Sequence, residues 1–360
     1  MMTTIRSAVL PLALLLTGNA AALADSPGGI GVLGDSYSDE YQFYPPDRST
    51  ARNWVEILAT TRGLDFGRFD ADGRGEPRNQ GHAFNWARSG ATTEDLIRTG
   101  QHTGLAAQVA RGEVGLVVIF IGGNDFINAL KGPDPATALG AALPRALENY
   151  RTAVRTILAA SPRVKLVLVT LPDIRHLPEF AGPLRSGRLS AALSDAFTGA
   201  IGRYNAHIRS FAASDPRIAL IDLDLTTQAG TLLCREYVLI AGRRLDRHHP
   251  ANSLDCLFLA DGRHLGTLGQ GQMASMFIVV VNTKFAAGIR PLEQREVLAV
   301  ARSVVPPRDA DIRRMRLAAA PPLVSPVKPT AGHCEKVPTD AASRGAWLGL
   351  PLRRFQGETP

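Results

Sequence analysis

Past residue 24 this 360-residue sequence has no apolar run long enough to span a bilayer, no internal repeat, no G-x-S-x-G pentapeptide and only three cysteines. The first absence excludes a membrane helix from the body of the chain, and the second excludes a solenoid or propeller. The third argues against a serine displayed on a strand-to-helix nucleophile elbow, while leaving open a serine presented in another way. The fourth bears on metals: Cys234, Cys256, His248 and His249 fall near one another, but in no spacing that holds zinc.

What is present is enough apolar material for one large domain, with 45% hydrophobic and 20% charged residues, a balance that does not suggest wholesale disorder. At the start, MMTTIRSAVLPLALLLTGNAAALA places Arg6 before the apolar run Ala8 to Leu16 and closes on Ala22-Leu23-Ala24. That is the pattern of a secretory signal peptide. It predicts that residues 1–24 are removed, that residues 25–300 form the folded domain, and that the mature protein is secreted or periplasmic without stable membrane insertion. From about Val304 the chain is rich in Pro, Ala and Arg without sustained periodicity, so residues 301–360 read as a disordered tail.

The net charge of +7 invites a nucleic-acid partner, but its location argues against one. Beyond Val300, ten Lys and Arg stand against five Asp and Glu, and Arg6 lies in the leader, so the remainder carries only about +1. In an exported chain three cysteines suggest one disulfide and one spare thiol. Cys234 and Cys256 bracket a basic stretch that reads as irregular, and pairing them would restrict the unfolded chain by about 3 kcal/mol. Cys334, in the tail, is then the free thiol.

Gly31 to Leu33, Leu116 to Ile121, Val164 to Val169 and Ile218 to Ile221 are short continuous apolar runs, as expected of strands buried on both faces. Between them, Leu139, Leu143, Leu147, Tyr150, Val154, Ile157 and Leu158 recur at steps of three and four, the stripe of a long amphipathic helix. Thr92 offers an N-cap for the helix before the Leu116 strand, and further helices are predicted over Leu189 to Phe211 and Thr267 to Phe285. Strands alternating with helices predict a parallel sheet covered on both faces, with ligands beyond the carboxyl ends of its strands.

Gly29-Ile30-Gly31-Val32-Leu33-Gly34 matches the dinucleotide fingerprint G-x-G-x-x-G. That motif needs a strand before its first glycine, whereas here the strand lies inside it, so a nicotinamide cofactor is not expected. The residue that matters comes next. Ser36, in Gly34-Asp35-Ser36, stands where substrate should meet the sheet, although a serine there is equally at home as a helix cap. As a nucleophile it would need a base held by a carboxylate, and Asp261-Gly262-Arg263-His264 supplies both in one short turn. Gly122-Gly123-Asn124-Asp125 ends the strongest strand, and Gly90, in NWARSGAT, precedes a predicted helix start. Both are candidate donors to a developing oxyanion, and either alone is ordinary turn chemistry.

Together these blocks, in this order, resemble the four signature blocks of the GDSL or SGNH hydrolase family, over roughly Gly29 to Phe285. The resemblance implies a flavodoxin-like three-layer α/β/α fold with a central parallel sheet and hydrolysis of carboxylic esters or thioesters through an acyl-enzyme. It implies no metal and no cofactor. It makes Ser36 the nucleophile, His264 the general base and then acid, and Asp261 the group that orients the imidazole. The backbone N–H groups of Ser36 and Gly90 and the Asn124 side chain become the oxyanion hole. Tyr37 stands where the family often has leucine. The expected partner is a small-molecule, glycan or lipid ester, with acyl or acetyl groups as the scissile part. A non-catalytic glycan-binding protein on the same fold, or an O-acyltransferase using the same triad, remains open. Tyr37, Tyr41, Phe43 and Tyr44 could stack on a sugar or flank an acyl chain, or simply pack. Arg243, Arg244, Arg247, His248 and His249 could meet an acidic polymer or form a solvated loop.

Overall fold

The computed structural model describes residues 28–71, 81–172, 177–228 and 237–304. The leader and the tail beyond residue 304, on which the signal-peptide and disorder expectations rest, lie outside the described residues, as does Cys234.

The four apolar runs form the central sheet: β1 (Gly29–Gly34), β4 (Val114–Phe120), β5 (Lys165–Val169) and β6 (Ile218–Ile221), all parallel, in the order β1-β4-β5-β6. Two small antiparallel ribbons, β2 (Phe69–Asp70) with β3 (Gly81–His82) and β7 (Tyr237–Ile240) with β8 (Arg243–Asp246), lie apart from it. The helices are α1 (Trp54–Arg62), α2 (Thr93–Arg98), α3 (Gln101–Ala110), α4 (Gly123–Ala129), α5 (Pro135–Ala160), α6 (Pro178–Arg185), α7 (Ala191–Ser214), α8 (Leu223–Gln228), α9 (Thr267–Phe285) and α10 (Gln294–Ser303). Helices α3, α5 and α7 cover one face of the sheet, and α1 and α9, backed by α10, cover the other. This is the three-layer α/β/α arrangement with a central parallel sheet that the sequence predicts.

The sheet is central because its side chains are apolar on both faces. Val117 and Leu166 on one face and Val118 and Val167 on the other are buried, each stabilising the fold by about 1.5–3 kcal/mol through burial, which outweighs the roughly 1 kcal/mol net of a ladder hydrogen bond. Every residue of β1 is buried, and its glycines are there for lack of space. A β-carbon on Gly29 would meet Phe84 at 2.3 Å and one on Gly31 would meet Leu105 at 2.5 Å. The false nucleotide fingerprint is therefore a packing motif. The outer edge of β1 is not bare, since the Val32 N–H donates to the Phe84 carbonyl (3.0 Å) and the Trp86 N–H donates to the Val32 carbonyl (2.8 Å).

Two local expectations change. The single helix expected after Thr92 is two, α2 and α3, broken at Gly100, whose φ of 71° leaves the helical region. The stretch after Cys234 read as irregular contains the β7–β8 hairpin. Among the described residues Cys256 carries a free thiol, and the expected cross-link falls on Cys234, which lies outside them. Helix α1 went unpredicted, although Asn53 and Glu56 form a capping box at its start that the sequence spells as N-x-x-E.

Candidate active site

The carboxyl ends of β1 and β4 and the turn before α9 converge on one groove. Ser36 follows β1 directly and is 8% exposed, enough to be reached and too little to be freely solvated. His264 arrives from 228 residues away, with its Nε2 2.7 Å from the Ser36 Oγ. The other ring nitrogen, Nδ1, is hydrogen-bonded to an Asp261 carboxylate oxygen. The carboxylate on Nδ1 places a proton on that nitrogen, so in the neutral ring it is Nε2 that accepts from the Ser36 hydroxyl.

The turn carrying the pair is closed by local bonds. The Asp261 carboxylate accepts the backbone N–H of both Arg263 and His264 at 2.9 Å, and the Leu259 N–H donates to the His264 carbonyl at 2.8 Å. Gly262 sits at φ 69°, and a β-carbon there would lie 2.9 Å from the Glu179 backbone nitrogen, so only glycine fits. The surrounding protein disfavours charge on Asp261. The hydrogen bond to His264, the attraction of that ring when it is protonated and the two N–H donors outweigh this and bring the pKa down to about 2.

Ser36 and Asn124 line the same groove. Asn124 is buried at the start of α4, and its amide donates one hydrogen bond to the Ala91 carbonyl (2.9 Å), which leaves its second N–H for another acceptor. Its approach is set by Gly122 at φ 118°, against which the Tyr204 hydroxyl packs too closely for any side chain (2.6 Å to a built β-carbon). Gly90 is not part of the groove lining. It occupies an exposed turn at φ 81°, on a segment tied to the end of β1 by the Arg88 N–H donating to the Gly34 carbonyl (3.1 Å). Among the described residues neither the Ser36 N–H nor the Gly90 N–H donates to a protein acceptor.

From Ser36 the groove runs over the ends of β4 and β5 between α4 and α7, with Phe120, Ile127, Leu171, Leu177 and Ile201 as its apolar wall. Arg263 also lines it and is paired with Glu179 at the start of α6. Asp35 lies in the same lining. Burial, reinforced by the nearby Asp125 charge and opposed by the Tyr37 N–H, raises its pKa to about 7. Of the four aromatics after the serine, only Tyr37 faces the groove. Tyr41 is buried edge-on to the His264 ring at 5.9 Å, Phe43 stacks on Phe69, and the Tyr44 hydroxyl bonds Asp39.

The basic stretch near the hairpin is largely compensated. Arg243 pairs with Asp255, His249 with Asp246, and Arg244 lies over the Tyr237 ring. Among the described residues no group of three or more His, Cys, Asp or Glu side chains is arranged to hold a metal, and no helix is long and apolar enough to cross a membrane. Sequence reasoning had no signal for Arg48, Glu179 or the apolar wall, because none belongs to a short motif.

A family model described as GDSL-like Lipase/Acylhydrolase matches residues 30–277. No curated protein matches the chain. Among solved structures the chain is similar to the lipase Lip_vut3 from a goat rumen metagenome, at 17% identity, covering 74% of this chain and 100% of that one with a TM-score of 0.43. It is also similar to an extracellular lipase from Streptomyces rimosus (19% identity, 69% and 99% covered, TM-score 0.39). A third is phospholipase A1 from Streptomyces albidoflavus (18% identity, 69% and 99% covered, TM-score 0.41).

Proposed function

This chain belongs to the GDSL-like lipase/acylhydrolase family and is a hydrolase of ester bonds, and from that premise we propose that it is an exported carboxylic esterase acting through an acyl-Ser36 intermediate on substrates with a hydrocarbon acyl group. The observation that carries this reading is the 2.7 Å approach of His264 Nε2 to Ser36 Oγ with Asp261 behind the ring. A serine hydroxyl is a weak nucleophile until a base removes its proton.

In this mechanism the Ser36 Oγ attacks the ester carbonyl carbon while its proton passes to His264 Nε2. The negative charge moves onto the carbonyl oxygen, where the Ser36 and Gly90 N–H groups and the second Asn124 N–H receive it. As the tetrahedral species collapses, His264 gives its proton to the leaving alkoxide and the alcohol departs. Water then repeats the sequence, losing a proton to His264 and adding to the acyl carbon, after which Ser36 leaves and recovers its proton. Asp261 stays ionised throughout and stabilises the imidazolium. The apolar wall of Phe120, Ile127, Leu171 and Ile201 favours an alkyl acyl chain over a bare acetyl group. Export rests on the leader pattern at residues 1–24, and the alcohol portion is a glycan or lipid.

The test treats purified protein with a fluorophosphonate probe and locates the adduct by peptide mass, beside Ser36→Ala and His264→Ala. Labelling at Ser36 that both substitutions abolish is expected, together with faster hydrolysis of butyrate-to-octanoate esters than of acetate. Absence of labelling in folded protein overturns the mechanism, and a preference for acetate overturns the substrate class. Fractionation of expressing cells checks export.

A further inference from the structure

The oxyanion hole proposed above needs two backbone N–H groups, on Ser36 and Gly90, that are 54 residues apart in sequence and lie just beyond the last backbone bond between their segments, from the Arg88 N–H to the Gly34 carbonyl. Something must hold their spacing. Arg48 is 6% exposed and reaches both segments at once. Its Nη1 donates to the Ser36 carbonyl at 3.1 Å, and its Nη2 donates to the Ser89 hydroxyl at 2.7 Å. Each contact is made within one peptide unit of a candidate oxyanion donor.

The guanidinium is itself held on every side. It lies 3.9 Å above the Tyr44 ring centre and 5.3 Å from that of Tyr41. The Tyr44 hydroxyl bonds the Asp39 carboxylate, and the same Asp39 oxygen accepts the Ser89 backbone N–H at 2.7 Å. Asp39, Tyr44, Arg48 and Ser89 thus close a ring of contacts around the loop that ends at Gly90. The Asp39 carbonyl in turn accepts from the Asn53 side chain at 3.0 Å, which fastens the ring to the cap of α1. Arg48 makes no ion pair among the described residues. A buried cation without a direct ion partner is costly, and its cost makes sense where negative charge develops nearby.

We infer that Arg48 is a positioning residue that sets the distance and orientation of the Ser36 and Gly90 N–H donors toward the oxyanion, through one fork bridging the Ser36 carbonyl and the Ser89 hydroxyl. The inference rests on the acyl-serine reading above. A planar fork suits the task because its two donors have fixed geometry, whereas a lysine ammonium of the same charge can satisfy one end at a time.

The test compares Arg48→Lys, Arg48→Gln and Ser89→Ala with the parent in kcat and KM on a p-nitrophenyl ester and in affinity for an alkylboronic acid, which forms a tetrahedral adduct on an activated serine. Both Arg48 variants are expected to lose about 10–100-fold in kcat and a similar factor in boronic acid affinity, as when oxyanion donors are misplaced, with KM within about twofold. Ser89→Ala, on a half-exposed turn, should lose less in the same two quantities. The inference is overturned if kcat and boronic acid affinity stay within about twofold of the parent in all three variants. It is also overturned if lost kcat only tracks lost folded protein while the folded fraction keeps its boronic acid affinity. Ser36→Ala in the same assay separates the two levels: retained hydrolysis there overturns the acyl-serine reading itself, whereas abolished hydrolysis with unaffected Arg48 variants overturns only the role of Arg48.

Discussion

The Tyr37 hydroxyl donates a 2.9 Å hydrogen bond to the Arg263 carbonyl, so the residue after Ser36 holds the residue before His264. The Tyr37 ring also packs 5.5 Å from the His264 ring and 5.4 Å from that of Phe120. A leucine could fill part of that space but could not make the bond. The pair therefore couples the segments carrying Ser36 and His264 through one phenol.

Tyr37→Phe keeps the ring and removes the bond. Stability should fall by about 1 kcal/mol, the net worth of such a bond, and kcat by between about 3- and 30-fold through a looser His264. Chemical denaturation and steady-state kinetics read the two effects, and an unchanged kcat would show that the turn holds His264 without Tyr37.

Asn124→Ala should lower kcat by about 10²–10³ if the free amide hydrogen meets the oxyanion. Since the same amide also anchors to Ala91, the measurement is paired with a thermal melt. Full turnover in a folded variant would remove Asn124 from the mechanism.

Gly262→Ala asks a residue with a side chain to adopt φ 69° and to sit 2.9 Å from the Glu179 nitrogen. A cost of about 1–3 kcal/mol is expected for such strain, with a fall in kcat because Asp261 and His264 flank the position. A denaturation midpoint equal to that of the parent would mean the turn relaxes without cost.

Asp35 gives a pH dependence whose sign follows from its environment. Its pKa is about 7 when folded, because burial disfavours the carboxylate, against an ordinary 3.8. Between those values the folded chain holds a proton that the unfolded chain has lost, so stability falls as pH rises from about 4 to 7 and levels off above. Glu56, raised to about 7 by burial, and Asp125, raised to about 6 by burial, act in the same direction. Asp261 acts oppositely and only in acid: its contribution is present above about pH 4 and is lost as pH falls through about 2. Asp35→Asn should remove part of the slope between pH 4 and 7, at most about 4 kcal/mol, with unfolding free energies measured at pH 5 and 8. Equal slopes in the two proteins would contradict the assignment.

Much of the fold could be read in advance because it is written locally. The four runs Gly31 to Leu33, Leu116 to Ile121, Val164 to Val169 and Ile218 to Ile221 are too apolar to be anything but doubly covered strands, and each is a strand of the parallel sheet. Thr267 to Phe285 is helical over the whole predicted span. Helix α1 and the β7–β8 hairpin are not read from the sequence because short capping boxes and four-residue strands are weak against the surrounding loop composition. Gly100 interrupts an otherwise continuous helical pattern, which periodicity alone does not register.

The sequence by itself determined the parallel sheet, the end of it at which chemistry can occur, and the residues Ser36, Asn124, Asp261 and His264 that arrive there, since strand-end turns and the Asp-x-x-His spacing are properties of short segments. Only the tertiary structure decided that Arg48 joins Ser36 to Ser89, that Tyr37 meets Arg263 across 226 residues, and that Ile127, Leu171 and Ile201 share one wall. Those contacts depend on how whole layers pack. A side chain's partner across layers is set by the positions of every helix and strand between them, and no local period encodes it.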